Sequence, residues 1–283
     1  MEEWRFDAIG TAWQIDTRDP VGPDVRERVL ARIDAFDRVW SRFRADSVVT
    51  AIAARAGEWN LPGEAGILFG FYDELHAATA GAVNPLIGRR LADLGYDATY
   101  SLTPVADPTA VPPWPTVEFE APVVRTREPV TIDVGAAGKG LLVDLVADVL
   151  RPWDADVTID ASGDLLHRGS EPIRIALEHP ADKTLAVGVA ELSPGLALCA
   201  SATNRRAWGE WHHVLDGRTG RPVDDVIATW VVSATCMHAD GLATAHFLAE
   251  PAALMGRFQH EYVRMHADGR IERSPNFPGE VFA

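Results

Sequence analysis

The sequence predicts an α+β fold, and three observations predict it. Apolar residues make up 47% of the 283, enough to bury one or two ordinary cores. The first half carries two stretches with apolar residues at helical spacing. In the second half, short β-branched runs cluster instead of alternating strictly with helices, as a doubly wound sheet would require. No internal repeat and no low-complexity tract appears.

The elements follow in order. Residues 4–17 read as a strand entering a loop. Turn and helix-start signals occupy 19–24, and Val25, Val29, Ile33, Phe36 and Trp40 then recur with the period of a helix of about four turns. A second helical stretch spans 64–80 and breaks at Gly81. Residues 101–118, rich in Pro and Thr, are the most linker-like part of the chain. Then comes a strand, tight loop, helix unit: a β-branched run at 130–134, small residues at 135–140 and an apolar helix at 141–150. Short strands are expected at 157–160, 173–177, 184–189, 196–200 and 229–234, with helices at 240–248 and near 251–258.

Charge narrows the function. Lys and Arg total 26 against 41 Asp and Glu, a formal charge of −15. Such a surface repels phosphate backbones and anionic lipids, which argues against nucleic-acid binding and a polybasic membrane anchor. A small nucleotide responds to its local site, where a divalent cation could mediate. Cys199 and Cys236 lie far apart in sequence and in no metal spacing, so they read as small buried hydrophobes. An acidic start and the lack of a long apolar run predict a cytoplasmic protein without membrane insertion.

Three segments could carry chemistry. Gly135-Ala136-Ala137-Gly138-Lys139-Gly140 lacks the spacing of a P-loop and of a dinucleotide fingerprint. Its small residues still let a backbone approach a ligand, and free amides at a helix start favour an anion. A plain tight turn fits the same residues. In the segment from His238 to His246, Asp240 and Thr244 stand four apart. On a helix they offer two oxygens on one face to a hard cation, although Asp240 equally fits an N-cap and Thr244 a back-bonding residue. His238 and His246 are eight apart, outside zincin spacing, and read as incidental. Finally, His212 and His213 precede a turn rich in Asp, Gly and Pro. A neutral imidazole there could accept a proton in a cleft, and a solvated His pair beside a hairpin is the other reading.

In sequence order these segments resemble the ApbE family, the magnesium-dependent FAD:protein FMN transferases. Residues 133–140 resemble the family's D-x-G-G-x-A-K-G, residues 212–222 its S-H-I-I-D-P-x-T-G-x-P, and residues 239–244 its A-D-x-x-x-T. Earlier, Ile9-Gly10-Thr11 sits at its M-G-T, residues 40–47 resemble F-S-x-F-x-x-x-S, and Gly81-Ala82-Val83-Asn84-Pro85 resembles G-A-F-D-P. The likeness runs through nearly the whole chain and implies one T-fold-like α+β domain over residues 1–283.

The resemblance implies Mg2+ held by Asp240, Thr244 and the Ala136 carbonyl. FAD as substrate would lie against Asp133 and Lys139, with Ile9, Ala82, Val83, Asn84 and Val214 at further flavin-contacting positions and His213 as base. The implied partner is an acceptor flavoprotein flavinylated on Ser or Thr, with AMP released; FAD hydrolysis and flavin binding without turnover are the alternatives. Departures are Val83 and Asn84 in place of Phe and Asp, Ser201-Ala202-Thr203 in place of S-G-D, Ile9 in place of Met, Ala136 in place of the second loop Gly and Gly138 in place of Ala.

Overall fold

The computed structural model describes residues 2–151 and 156–282. The chain opens with an antiparallel hairpin of β1 (Glu2–Ala8) and β2 (Thr11–Thr17), where a strand entering a loop was expected. Ile9 and Gly10 make its two-residue turn at φ 48° and 74°, the positive-φ pair that matches the twist of hairpin strands. Helix α1 (Pro23–Trp40) has 18 residues, about five turns, and buries all five of the residues that predicted it. Next come α2 (Val48–Ala54), β3 (Gly57–Asn60) and α3 (Ala65–Ala78). At the end of α3 the Thr79 hydroxyl donates to Leu75 O and accepts from Val83 N–H, while Ala80 and Gly81 take positive φ and reverse the chain.

Helix α4 (Gly88–Asp93) precedes residues 101–118, which are not a linker. The backbone carbonyl of Asp93 accepts from Val105 N–H and its carboxylate from Thr109 N–H. The Trp114 ring is buried and donates to Asp73 at 2.6 Å. Strands β4 (Val117–Glu120) and β5 (Val123–Thr126) then build a small sheet with β3. Residues 130–134 pair with no strand among the described residues. Val130, Ile132 and Val134 are buried, which accounts for the β-like composition, but the Asp133 N–H is spent on Pro85 O.

Helix α5 (Gly138–Leu150) starts three residues before the expected point, taking Gly138, Lys139 and Gly140 into its first turn. Five strands follow: β6 (Val157–Asp160), β7 (Asp164–Arg168), β8 (Ile173–His179), β9 (Asp182–Leu192) and β10 (Leu196–Ala202). The short β11 (Ala207–Trp208), β12 (Trp211–His212), β13 (Leu215–Asp216) and β14 (Arg221–Pro222) lead to β15 (Val226–Ser233). Helix α6 (Cys236–Ala245) begins four residues before the expected 240. Thr235 is its N-cap, accepting from His238 N–H, and Asp240 lies in the helix interior. Helix α7 (Pro251–Met255), β16 (Glu261–His266), β17 (Ile271–Arg273) and β18 (Gly279–Val281) complete the order.

The main sheet is antiparallel throughout, with order β1-β2-β6-β7-β10-β15-β16-β17. Both of its faces are covered at β10 and β15. On β10, Ala197 and Cys199 face the core shared with α5 and α6, while Leu198 faces the sheet β18-β9-β8. On β15, Val231 joins the first core and Trp230 and Val232 the second. Burial on alternate sides makes these strands almost continuously apolar. Cys199 and Cys236 are both buried free thiols, as expected, but they meet at 3.4 Å. No helix among the described residues is long and apolar enough to cross a membrane.

Candidate active site

The first turn of α5, the middle of α6, the bend after α3 and the β12–β13 connection surround a cavity of about 410 Å3. Ala82, Val83, Asn84, Asp133, Ala136, Lys139, His213, Val214, Asp240 and Thr244 line it together. Ile9 does not; Gly10 and Thr11 do, while Ile9 packs against the main core.

Helices α5 and α6 are joined where the charged groups lie. Gly140 N–H donates to Asp240 Oδ2 at 2.9 Å, and Asp144 accepts from the N–H groups of Cys236 and Met237 at 3.0 and 2.9 Å. A side chain at 140 has no room, since a Cβ there would stand 2.3 Å from Cys236 O and 2.7 Å from Asp240 Cβ. Burial and the Asp164 carboxylate push Asp240 well above the usual carboxylate range, against the pull of Lys139 and the Gly140 amide. Thr244 lines the cavity one turn further along the same helix.

These oxygens suit a hard cation. Asp240, Thr244 and Ala136 all line the cavity, and a carboxylate, a hydroxyl and a backbone carbonyl are the donor types that a hard cation accepts beside phosphate oxygens. Among the described residues no three His, Cys, Asp or Glu side chains converge as a ready-made cage. Lys139 Nζ stands 2.6 Å from Asp164 and donates to Ala161 O at 2.9 Å. Burial would lower its pKa, but the Asp164 and Asp240 carboxylates outweigh that and hold the ammonium charged.

Asp133 and Asn84 are less free than their residue types suggest. Arg42 pairs with Asp133 at 2.5 Å, the Gly135 amide donates to its other oxygen at 2.7 Å, and the Arg42 guanidinium lies over the Phe43 and Tyr96 rings. Asn84 Oδ1 caps the turn at Leu86 N–H while its Nδ2 donates to Pro112 O, both at 2.9 Å. A carboxylate has no such donor, so the amide at this position has a structural use.

The structure separates the two histidines. His212 Nε2 donates to Val223 O and Nδ1 accepts from Val214 N–H, so its ring is fully engaged. His213 lines the cavity with Nδ1 buried and unpartnered, and burial followed by the Arg206 and His212 charges lowers its pKa to about 4. It is therefore a neutral imidazole at pH 7, able to accept a proton. His238 and His246 do not line the cavity: His246 is buried against His260, and His238 packs on Phe71.

Three further residues at the cavity, and one behind it, escaped sequence reasoning. Asp164 follows an unremarked Ser-Gly turn, and Arg206 ends a short helical turn after Ser201 and Ala202. Arg42 stands behind the cavity as the partner of Asp133, inside the 40–47 stretch and without a signal of its own. Tyr72 occupies an apolar stripe of α3 and reads as core. Burial and the Asp133 and Asp240 carboxylates push its phenol well above the ordinary value, with the Ala137 and Ala136 amides opposing.

Fold and cavity define a class: antiparallel α+β proteins in which two packed helices bring hard oxygens and a lysine to face a neutral imidazole across one cleft. The chain belongs to the ApbE family, whose sequence pattern matches residues 9–266. It is 27% identical over 307 aligned residues to the FAD:protein FMN transferase of Rhodobacter capsulatus, covering 98% of this chain and 58% of that protein. Against the FAD:protein FMN transferase of Vibrio cholerae it is 32% identical over 124 residues, covering 40% of this chain and 37% of the relative. The chain thus spans little more than half of the first relative's length and less of the second's. The ApbE protein of Thermotoga maritima superposes with a TM-score of 0.86 at 22% identity, covering 99% of both chains. The flavin transferase ApbE of Vibrio cholerae superposes with a TM-score of 0.79 at 22% identity, covering 98% of this chain and 97% of that one. At such identities the superpositions establish the fold.

Proposed function

We propose that this chain moves the FMN part of FAD onto a Ser or Thr hydroxyl of an acceptor flavoprotein and releases AMP, with Mg2+ as the required ion. The observation that carries the reading is the meeting of Asp240, Thr244 and Ala136 with a neutral His213 in one cavity, from segments far apart in sequence. Asp240, Thr244 and the Ala136 carbonyl would hold the ion, which when bound neutralises charge on the diphosphate.

The remaining work falls to the chain. Lys139, kept charged between Asp164 and Ala161 O, adds a fixed positive group for the phosphates. His213 takes the proton of the attacking hydroxyl. The hydroxyl oxygen bonds to the FMN-side phosphorus, and the bond from that phosphorus to the bridging oxygen breaks. The bridging oxygen leaves with AMP. Water in place of the hydroxyl would give FMN and AMP through the same groups.

The test is intact-mass analysis of candidate acceptor flavoproteins after incubation with this chain, FAD and Mg2+, with AMP measured in parallel. An FMN-sized gain on Ser or Thr with matching AMP is expected. AMP without the gain would assign hydrolysis, and FAD binding without AMP would make the chain a flavin binder.

A further inference from the structure

Tyr72 is a tyrosine where packing asks only for phenylalanine. It is 0% exposed, on the α3 stripe that also buries Ala65, Leu68, Phe69 and Leu75. Its ring belongs to the main core, yet the residue lines the cavity, and its buried hydroxyl has no hydrogen-bond partner among the described residues. A buried hydroxyl left alone is a cost that a phenylalanine would avoid, and native structures rarely keep one without a use.

Its surroundings say what would satisfy it. The Asp133 and Asp240 carboxylates and the amides of Ala136 and Ala137 are its polar neighbours, which puts it at the inner end of the cleft beside the residues read above as the cation and phosphate site. An O–H donor suits an anionic oxygen there, and charge assistance makes such a bond stronger than a neutral one. We propose that Tyr72 is a binding residue of this chain, its hydroxyl donating to a diphosphate oxygen of the bound dinucleotide. This rests on the reading of the cavity as an FAD site.

The test is Tyr72→Phe, which removes one oxygen and leaves the packing. Thermal unfolding without ligand should show an unchanged or higher melting temperature, because the variant loses an unpaired buried group. With Mg2+ present, FAD should bind about tenfold more weakly, and ADP should lose its ability to displace FAD by a similar factor. A lower melting temperature of the ligand-free variant would mean that the hydroxyl serves the fold. FAD and ADP affinities within twofold of wild type, a loss confined to FAD, or ADP that fails to displace FAD from wild type would each overturn the assignment. Wild type that binds no FAD would overturn the parent reading as well, whereas equal binding by both proteins removes only the role of the hydroxyl.

Discussion

The two walls of the cleft are built on different principles. One consists of α5 and α6, locked by the Gly140 to Asp240 bond, by Asp144 across the first residues of α6 and by Lys139 against Asp164. The other consists of turns and two-residue strands: the bend at 79–84, the β11–β12 pair and the β13–β14 hairpin, tied to the bend by Gly217 N–H to Ala82 O at 2.8 Å. The first wall holds charge in a fixed place, where preorganised groups act most strongly on a charged substrate. The second presents an imidazole on short elements held by side chains: Trp208 donates to Leu94 O at 2.9 Å, and Trp208 and Leu215 pack in one cluster with Leu91, Leu94 and Tyr96.

Substitutions that separate the walls test this contrast. The largest effect is expected for Asp240→Ala, which removes the one carboxylate of the proposed cation site. AMP release from FAD should fall to background, while Thr244→Ala should only raise the Mg2+ concentration needed. Full activity in Asp240→Ala would remove the cation site from this wall.

His213→Ala acts on the other wall. It should depress kcat by about 10²–10⁴-fold with little change in FAD affinity, as loss of a general base does. An unchanged kcat would exclude His213 as the base. The pH dependence has a definite sign. Burial lowers the folded pKa to about 4 from an ordinary value of about 6.5, so the neutral base persists on acidification and kcat/KM should decline only near pH 4. Stability behaves differently. Between those two values the unfolded chain binds a proton that the folded chain does not, so stability falls as pH drops through that window, and His213→Ala should soften the fall. Urea denaturation at pH 7 and pH 5 would measure it.

Gly140→Ala gives the smallest effect and touches the rigid wall alone. A methyl forced against Cys236 O should cost about 1–3 kcal/mol, the usual price of overpacking, and lower the melting temperature by several degrees. Its activity should fall in step with the disturbance of Asp240. An equally stable, equally active variant would show that α5 and α6 are not locked here.

Legibility differed from element to element. Helix α1 could be read because Val25, Val29, Ile33, Phe36 and Trp40 repeat with the helical period and all face one core. Residues 130–134 misled because burial and strand pairing favour the same β-branched residues, and burial alone was at work. Strands β7, β16, β17 and β18 were not anticipated. Polar members such as Asp164, His167, Arg264 and His266 are buried in or beside them, so the apolar pattern is broken. At the site, residues within recognisable motifs could be named in advance. Tyr72 and Asp164 could not, because one resembles core and the other a turn, and their proximity to Lys139 and Asp240 is a long-range fact.

Local chemistry along the chain was enough to establish an α+β class, the amphipathic first helix, an acidic composition, and a short ordered set of motifs. These depend on side-chain type and near-neighbour spacing, which a linear chain displays. Folding alone decided which of two adjacent histidines faces the cleft, which oxygens of Asp133 and Asn84 are already engaged, and which buried hydroxyl is left over. Those outcomes depend on which distant segments pack together, and the hydrogen bonds and burial they impose have no counterpart in residue order.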